Sequence, residues 1–157
     1  MNIEYVEQSV TPTVVVKATD FPLGEMGQLF DAVFGAVFPV LEERGIAPAG
    51  PAFSLHTRMP SDTADLEVGL PIQETFGEPV PLGDFQLQAS EIPAGRTART
   101  TYVGSYDGLG EAWGAFMEAV VEAGNQPAFP FWEIYVTEPS PEADPATMRT
   151  DLLTLLG

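Results

Sequence analysis

The sequence contains no cysteine, which excludes a disulfide framework, a thiolate metal site and a cysteine nucleophile. Its single histidine, His56, is a poor basis for a zinc site or a Ser-His-Asp triad, and neither a metal nor a cofactor is expected. Cationic side chains are scarce, with 6 Lys and Arg against 23 Asp and Glu, for a formal net charge of −17. Such a surface repels phosphate backbones and argues against direct nucleic-acid binding. It would concentrate cationic small molecules or dock a basic protein, and it also serves solubility. No apolar run approaches the roughly 18 residues of a membrane span, so no membrane association is expected. The N-terminal "MNIEYVEQSV" opens on a strand pattern without the apolar core of a signal peptide. These features predict a cytoplasmic protein.

What is present is enough apolar material for a core. At 45% hydrophobic over 157 residues, the chain fits one domain, 1–157, without staples. Phe30, Phe34, Val37, Phe38 and Leu41 follow helical spacing and predict a helix over about 24–44, with Pro39 inside it as a site of kink or break. Leu109, Trp113, Phe116, Met117 and Val120 predict a second helix over about 108–123, with Asp107 as N-cap and Gly124 just past its end.

The same signature follows each helix. Gly45-x-x-Pro48-Ala49-x-Pro51-x-Phe53 matches Gly124-x-x-Pro127-Ala128-x-Pro130-x-Trp132, with Gly124 lying 79 positions after Gly45. That offset also carries Phe30 to Leu109, Phe34 to Trp113 and Val37 to Phe116. The chain therefore reads as a duplication, with repeats at about 1–74 and 82–157. Strands are expected at 3–9, 12–19, 52–59 and 65–72, then at 84–92, 96–104, 130–137 and 149–155. Each half is strand–strand–helix–strand–strand, joined by "PIQETFGEPVPLGD". The fold class is α+β, an antiparallel sheet with both helices on one face and a cleft between the halves. The segment "EPSPEADPATM" (138–148) reads as an exposed loop.

One residue breaks the apolar strand "PFWEIYV": Glu133. Alternation puts Trp132, Ile134 and Val136 on one face and Phe131, Glu133 and Tyr135 on the other. If the first row packs under the helices, the second points to the helix-free side, together with Ser54 and His56 from the first half. Glu133 either pairs with a cation, Arg58, Arg96 or Arg99, or it stands unpaired with a raised pKa. Ringed by Tyr and Phe, it suits an organic cation, or a general acid–base. Tyr102 and Tyr106 flank Gly104 at a strand-to-helix junction and are cleft candidates. Trp113 reads as core first and cleft second. His56 is a hydrogen-bonded structural residue or a site residue, Glu67 a solvent-facing carboxylate or a second acid at the groove, and Ser105 part of a helix cap.

Several segments resemble the GyrI-like, or AraC-type (bacterial transcription activator), effector-binding domain family. They are Gly104-Ser105-Tyr106-Asp107-Gly108-Leu109, Gly124-x-x-Pro127, Glu133-Ile134-Tyr135, Glu67-Val68-Gly69-Leu70-Pro71 and Thr150-Asp151-Leu152-Leu153. The resemblance covers essentially the whole chain. It implies a duplicated, SHS2-like module whose cleft binds bulky, often cationic or aromatic compounds around the strand glutamate, here Glu133. Together with the residues that alternation and the helix junction single out, the expected binding residues are Glu133, Tyr135, Phe131, Tyr102, Tyr106, His56 and Trp113. Where the family often carries a histidine before the Gly-x-Tyr, this sequence has Tyr102. Some members are fused to helix-turn-helix domains; with the first strand starting at residue 3, this chain is expected to be a stand-alone sensor, buffer or resistance protein. The family also suggests two alternatives. One is a hydrolase opening strained rings of genotoxic natural products, with Glu133 as general acid–base. The other is a protein partner, DNA gyrase.

Overall fold

The computed structural model describes residues 2–137 and 144–157. The chain runs β1 (Glu4–Gln8), β2 (Thr11–Pro22), α1 (Met26–Arg44), β3 (Phe53–His56), β4 (Thr63–Pro71), β5 (Val80–Leu82), β6 (Phe85–Ile92), β7 (Gly95–Val103), α2 (Leu109–Glu122), β8 (Pro127–Tyr135) and β9 (Arg149–Leu156). The fold is α+β and carries the duplicated module. Every strand pair is antiparallel, in the order β1-β7-β9-β8-β3-β4-β2-β6-β5.

The order shows how the two modules interlock. At the centre β3 pairs with β8, and outward from there β4-β2 mirrors β9-β7. The leading strand of each half sits on the other half: β1 pairs with β7, and β6 with β2. Both helices end on a glycine of positive φ at the repeated position, Gly45 at 69° and Gly124 at 88°, a conformation that suits glycine. The buried row of α1, Val33, Val37 and Leu41, matches Ala112, Phe116 and Val120 of α2 at the same offset.

The sheet is not flat. Two residues join β1 to β2, although five strands separate them in the sheet. That link spans at most about 11 Å, whereas six strand spacings in a flat sheet would need about 29 Å. The same holds for β6 and β7. The ends must therefore curl towards each other. On the side away from the helices they enclose Val15, Phe53, Leu55, Ile92, Trp132 and Leu153, with Trp132 fully buried; burying a large apolar side chain of this kind contributes about 1.5–3 kcal/mol. On the other side α1 covers β2 and β4 through Leu29, Val33, Val37 and Leu41, while α2 covers Ala98 and Leu152. Val14 and Val16 face α1 and Val15 faces the enclosed core, so β2 is apolar on both sides and reads as an unbroken run.

Three local expectations need correction. Helix α1 continues through Pro39 without a break; Pro39 is exposed, where water can replace the missing donor. Asp107 is not a side-chain cap: it lies in a 3-10 turn, Tyr106–Gly108, that leads into α2, and Gly108 holds the N-cap position. The joining segment contains β5, a hairpin with β6 closed by Gly83 (φ 60°) and Asp84. Of the expected loop 138–148, residues 138–143 lie outside the described residues, and Pro145–Thr147 forms a 3-10 turn.

Candidate functional site

Direct cross-strand partners share a face of a sheet. Val16, Val68, Ser54, Glu133, Leu152 and Thr100 form one such row across six strands. Val16 and Val68 lie under α1, and Leu152 lies under α2. The row therefore faces the helices, and so do Glu133, Tyr135 and Phe131. This reverses the expectation that they point to the helix-free side. Trp132 and Ile134 instead belong to the core enclosed by the curled sheet. The reason is the curl: it gives the helix-free side an apolar core of its own, and Trp132 and Ile134 pack into it. Over β3 and β8 the two helices leave a gap, and polar residues are tolerated beneath it. Val136, expected in the core row, is 40% exposed at the edge of this gap.

The gap is a cleft of about 900 Å³. Glu133, Tyr135 and Ala52 line its floor, Phe30, Phe34 and Phe38 of α1 form one wall, and Tyr106 and Leu109 belong to the other. The aromatic wall follows from the two apolar rows of α1. Leu29, Val33 and Val37 are buried against the sheet, and Phe30, Phe34 and Phe38, each about 100° further round the helix, face the cleft. Helical spacing alone merges the rows, which is why the phenylalanines read as core.

Glu133 is held by donors, not by a cation. Trp113 Nε1 donates to Oε1 at 2.7 Å and the Tyr135 hydroxyl to Oε2 at 2.9 Å. The Tyr135 hydroxyl also lies 2.8 Å from Ser54 Oγ. The three arginines that could have neutralised Glu133 are engaged elsewhere. Arg58 pairs with Asp20 at 3.1 Å and Asp65 at 3.2 Å, and Arg99 with Asp151 at 2.6 Å; the Arg96 guanidinium lies over the Tyr5 ring. No ion pair involves Glu133 among the described residues. Desolvation raises the pKa of its carboxyl above the usual glutamate value, and the bonds from Trp113 and Tyr135 only partly oppose this. Burial, then the charge of Glu133, raises Tyr106; the same two causes push Tyr135 well above an ordinary tyrosine. Both phenols therefore stay protonated and can donate.

The expected site residues divide into four groups. Glu133, Tyr135 and Tyr106 line the cleft, with the Tyr106 and Tyr135 rings edge-on at 5.9 Å. Trp113 is more than core, since its indole donates to Glu133 while its ring packs on Phe131 at 4.9 Å. Phe131 and His56 share the face but are buried beside Trp113, their rings stacked at 5.1 Å and 11°. Burial, then the nearby Arg58 charge, lowers the pKa of His56 to about 4, and its Nδ1 has no partner among the described residues. Tyr102 does not reach the cleft. Its hydroxyl donates to the Ser105 carbonyl at 2.8 Å and sits where a Cβ on Gly108 would come within 2.2 Å, so it braces the turn before α2. Ser105 serves that turn with its carbonyl, and its side chain makes no cap bond. Glu67 is on the opposite face, accepting the Ser90 hydroxyl. The wall Phe30, Phe34, Phe38 and the rim residue Asp31 are cleft residues that the sequence pattern did not single out.

Residues 1–154 match the family described as the GyrI-like small molecule binding domain. The chain belongs to that family. As a GyrI-like domain it resembles the EcmrR C-terminal domain, with a TM-score of 0.82 at 16% identity over 99% of this chain and 97% of that one. Matched to the EcmrR chain of an EcmrR–DNA complex, with a TM-score of 0.81 at 16% identity, this chain spans only 57% of that chain's length. SAV2435 bound to tetraphenylphosphonium matches with a TM-score of 0.65 at 8% identity, over 100% of this chain and 94% of that one. A protein called a hydrolase from Listeria innocua matches at 0.67 and 12%, over 99% and 91%. At these identities the likenesses show the shared fold. No curated protein sequence matches this GyrI-like domain. No helix among the described residues is long and apolar enough to cross a membrane.

Proposed function

We propose that the chain captures lipophilic organic cations in the cleft between α1 and α2, with Glu133 supplying the charge and the aromatic walls the contact area. The observation that carries this reading is a carboxylate on the floor of an aromatic cleft with no cationic partner among the described residues. Trp113 and Tyr135 fix its orientation but leave its charge uncompensated. A cation brought against it gains Coulomb attraction in a poorly hydrated setting and cation–π contact with Phe and Tyr faces. The tetraphenylphosphonium on SAV2435 is a ligand of this chemical kind. Such binding would serve a sensor, a buffer or a resistance protein. The test is dye titration of the wild type and Glu133→Gln, which keeps the shape and removes the charge. Cationic dyes should weaken about tenfold or more and neutral dyes of similar size little. Equal affinities for both dye classes in both proteins would defeat the reading.

A second reading, hydrolysis of a strained-ring compound, is favoured by the chain Ser54–Tyr135–Glu133. It joins two hydroxyls to a carboxyl of raised pKa, an arrangement suited to general acid–base work. Incubation with a cyclopropane-bearing alkylating compound and mass spectrometry should reveal a water adduct if this holds. No adduct in excess over buffer would remove it. Nothing in the cleft selects a protein partner such as gyrase.

A further inference from the structure

Asp31 has no role in the fold that its surroundings disclose. It is the sixth residue of α1, past the first turn, where an acid gains from the helix dipole. It is exposed, yet it lines the cleft between Phe30 and Phe34. Neither an ion pair nor a side-chain hydrogen bond engages it among the described residues. The positions one turn away on either side, where a helical ion-pair partner would stand, are Gly27 and Gly35. A Cβ at either would meet nothing within 4 Å. Two glycines inside a helix weaken it relative to alanine, and here both leave open space beside one carboxylate.

The route from Asp31 to the floor is aromatic. Glu133 accepts from Tyr135 at 2.9 Å, and the Tyr135 ring packs on Phe30 at 5.8 Å. Asp31 is the next residue. The cleft thus has a carboxylate at its floor, another at its rim and aromatic surface between them, and no Lys, Arg or His is among its described lining residues.

We propose that Asp31 is a second cation subsite, and that the cleft selects compounds carrying two positive centres on one aromatic frame: a cationic ring system for Glu133 and a tethered quaternary or amine cation for Asp31. This rests on the reading of Glu133 given above and adds a second, independent residue to it.

Ethidium and propidium test it, because they share a phenanthridinium ring and propidium adds one quaternary ammonium on a tether. Fluorescence titration of the full chain at low ionic strength should give propidium about three- to fivefold tighter binding, the range of an exposed charge pair. The advantage should shrink as salt rises. Asp31→Asn should abolish it while leaving ethidium within about twofold. Glu133→Gln should weaken both dyes. Glu43→Gln, on α1 but outside the cleft lining, should leave the advantage intact and so separates a site from general attraction to an acidic protein. Equal wild-type affinities, an Asp31→Asn variant that loses both dyes alike, or a Glu43→Gln effect as large as that of Asp31→Asn would overturn the subsite while leaving the Glu133 reading standing. Failure of the wild type to bind either dye would overturn both.

Discussion

Ser54 and Glu133 face each other across β3 and β8, and each is the other's counterpart in the duplication. The neighbouring pairs, Phe53 with Ile134 and Leu55 with Trp132, exchange under the same offset. The pseudo-two-fold axis of the molecule therefore passes between these two residues. Side chains so placed stand about 4.5–5.5 Å apart at Cβ, too close for two ionised carboxylates on a poorly hydrated floor. The geometry leaves room for one charge, and the second half carries it. Ser54→Asp should restore symmetry at a cost of about 3 kcal/mol or more at pH 8, diminishing as the pH falls through the carboxylate range. Denaturant unfolding at pH 8 and pH 5 measures it, and an unchanged midpoint at pH 8 would show that the floor is wetter than argued.

Glu133 also weighs on stability, and the sign follows from its raised pKa. Between the unfolded-state value near 4.5 and the higher folded-state value, the folded chain holds more protons than the unfolded one. Stability from this group therefore falls as pH rises through that window. Glu133→Gln can accept from Trp113 through its carbonyl, and the Tyr135 hydroxyl can turn to accept from its amide. The variant should unfold at a higher temperature than wild type at pH 7–8, with the gap closing below about pH 4.5. A lower Tm at pH 8 would mean that the carboxylate contributes more to the fold than to a ligand.

The course of the chain was legible because two periodicities agree at one offset. Gly45 and Gly124, Val37 and Phe116, and Phe53 and Trp132 hold equivalent places, and eight of the nine strands lie close to where alternation puts them. The ninth, Val80–Leu82, is only three residues long and hides among prolines and acids. The Gly83-Asp84 turn before Phe85 was the available signal. Which side of the sheet bears the helices was not legible. Alternation divides Trp132 from Glu133 but does not say which row is covered, and the deciding fact is the two-residue links that curl the sheet. The cleft wall was hidden for a related reason: Phe34 and Val37 are both apolar, and only the spacing of the helices tells which row meets the sheet.

Trp113 separates the two functions of a buried donor, packing and charge stabilisation. Its bond lowers the pKa of Glu133 against the effect of burial. Trp113→Phe keeps much of the contact with Phe131 and removes the donor. The Glu133 pKa should then rise further, so cation binding measured across pH should lose its strength at a higher pH than in wild type. The variant should also lose about 1–2 kcal/mol of stability through the missing bond to a charged acceptor and the smaller ring. A binding profile with the same pH midpoint as wild type would show that the indole packs without steering the charge.

His56 gives the opposite pH signature, and the two can be told apart. Its folded-state pKa of about 4 lies below the unfolded 6.5, so between those values the unfolded chain binds the extra proton. The stability it contributes is complete above pH 6.5 and is lost as pH falls towards 4, amounting to about 3 kcal/mol across the window. The cause is its position, a buried imidazole stacked on Phe131 with Arg58 two residues away in sequence. His56→Phe preserves a flat ring against Phe131 and removes both the titration and the unpartnered Nδ1. The variant should match or slightly exceed wild type at pH 8 and should be the more stable protein at pH 4.5, with a flatter stability curve between. Because His56 does not line the cleft, cationic-dye affinity at pH 8 should stay within about twofold. A variant whose acid limb follows that of wild type would place the acid sensitivity in another residue.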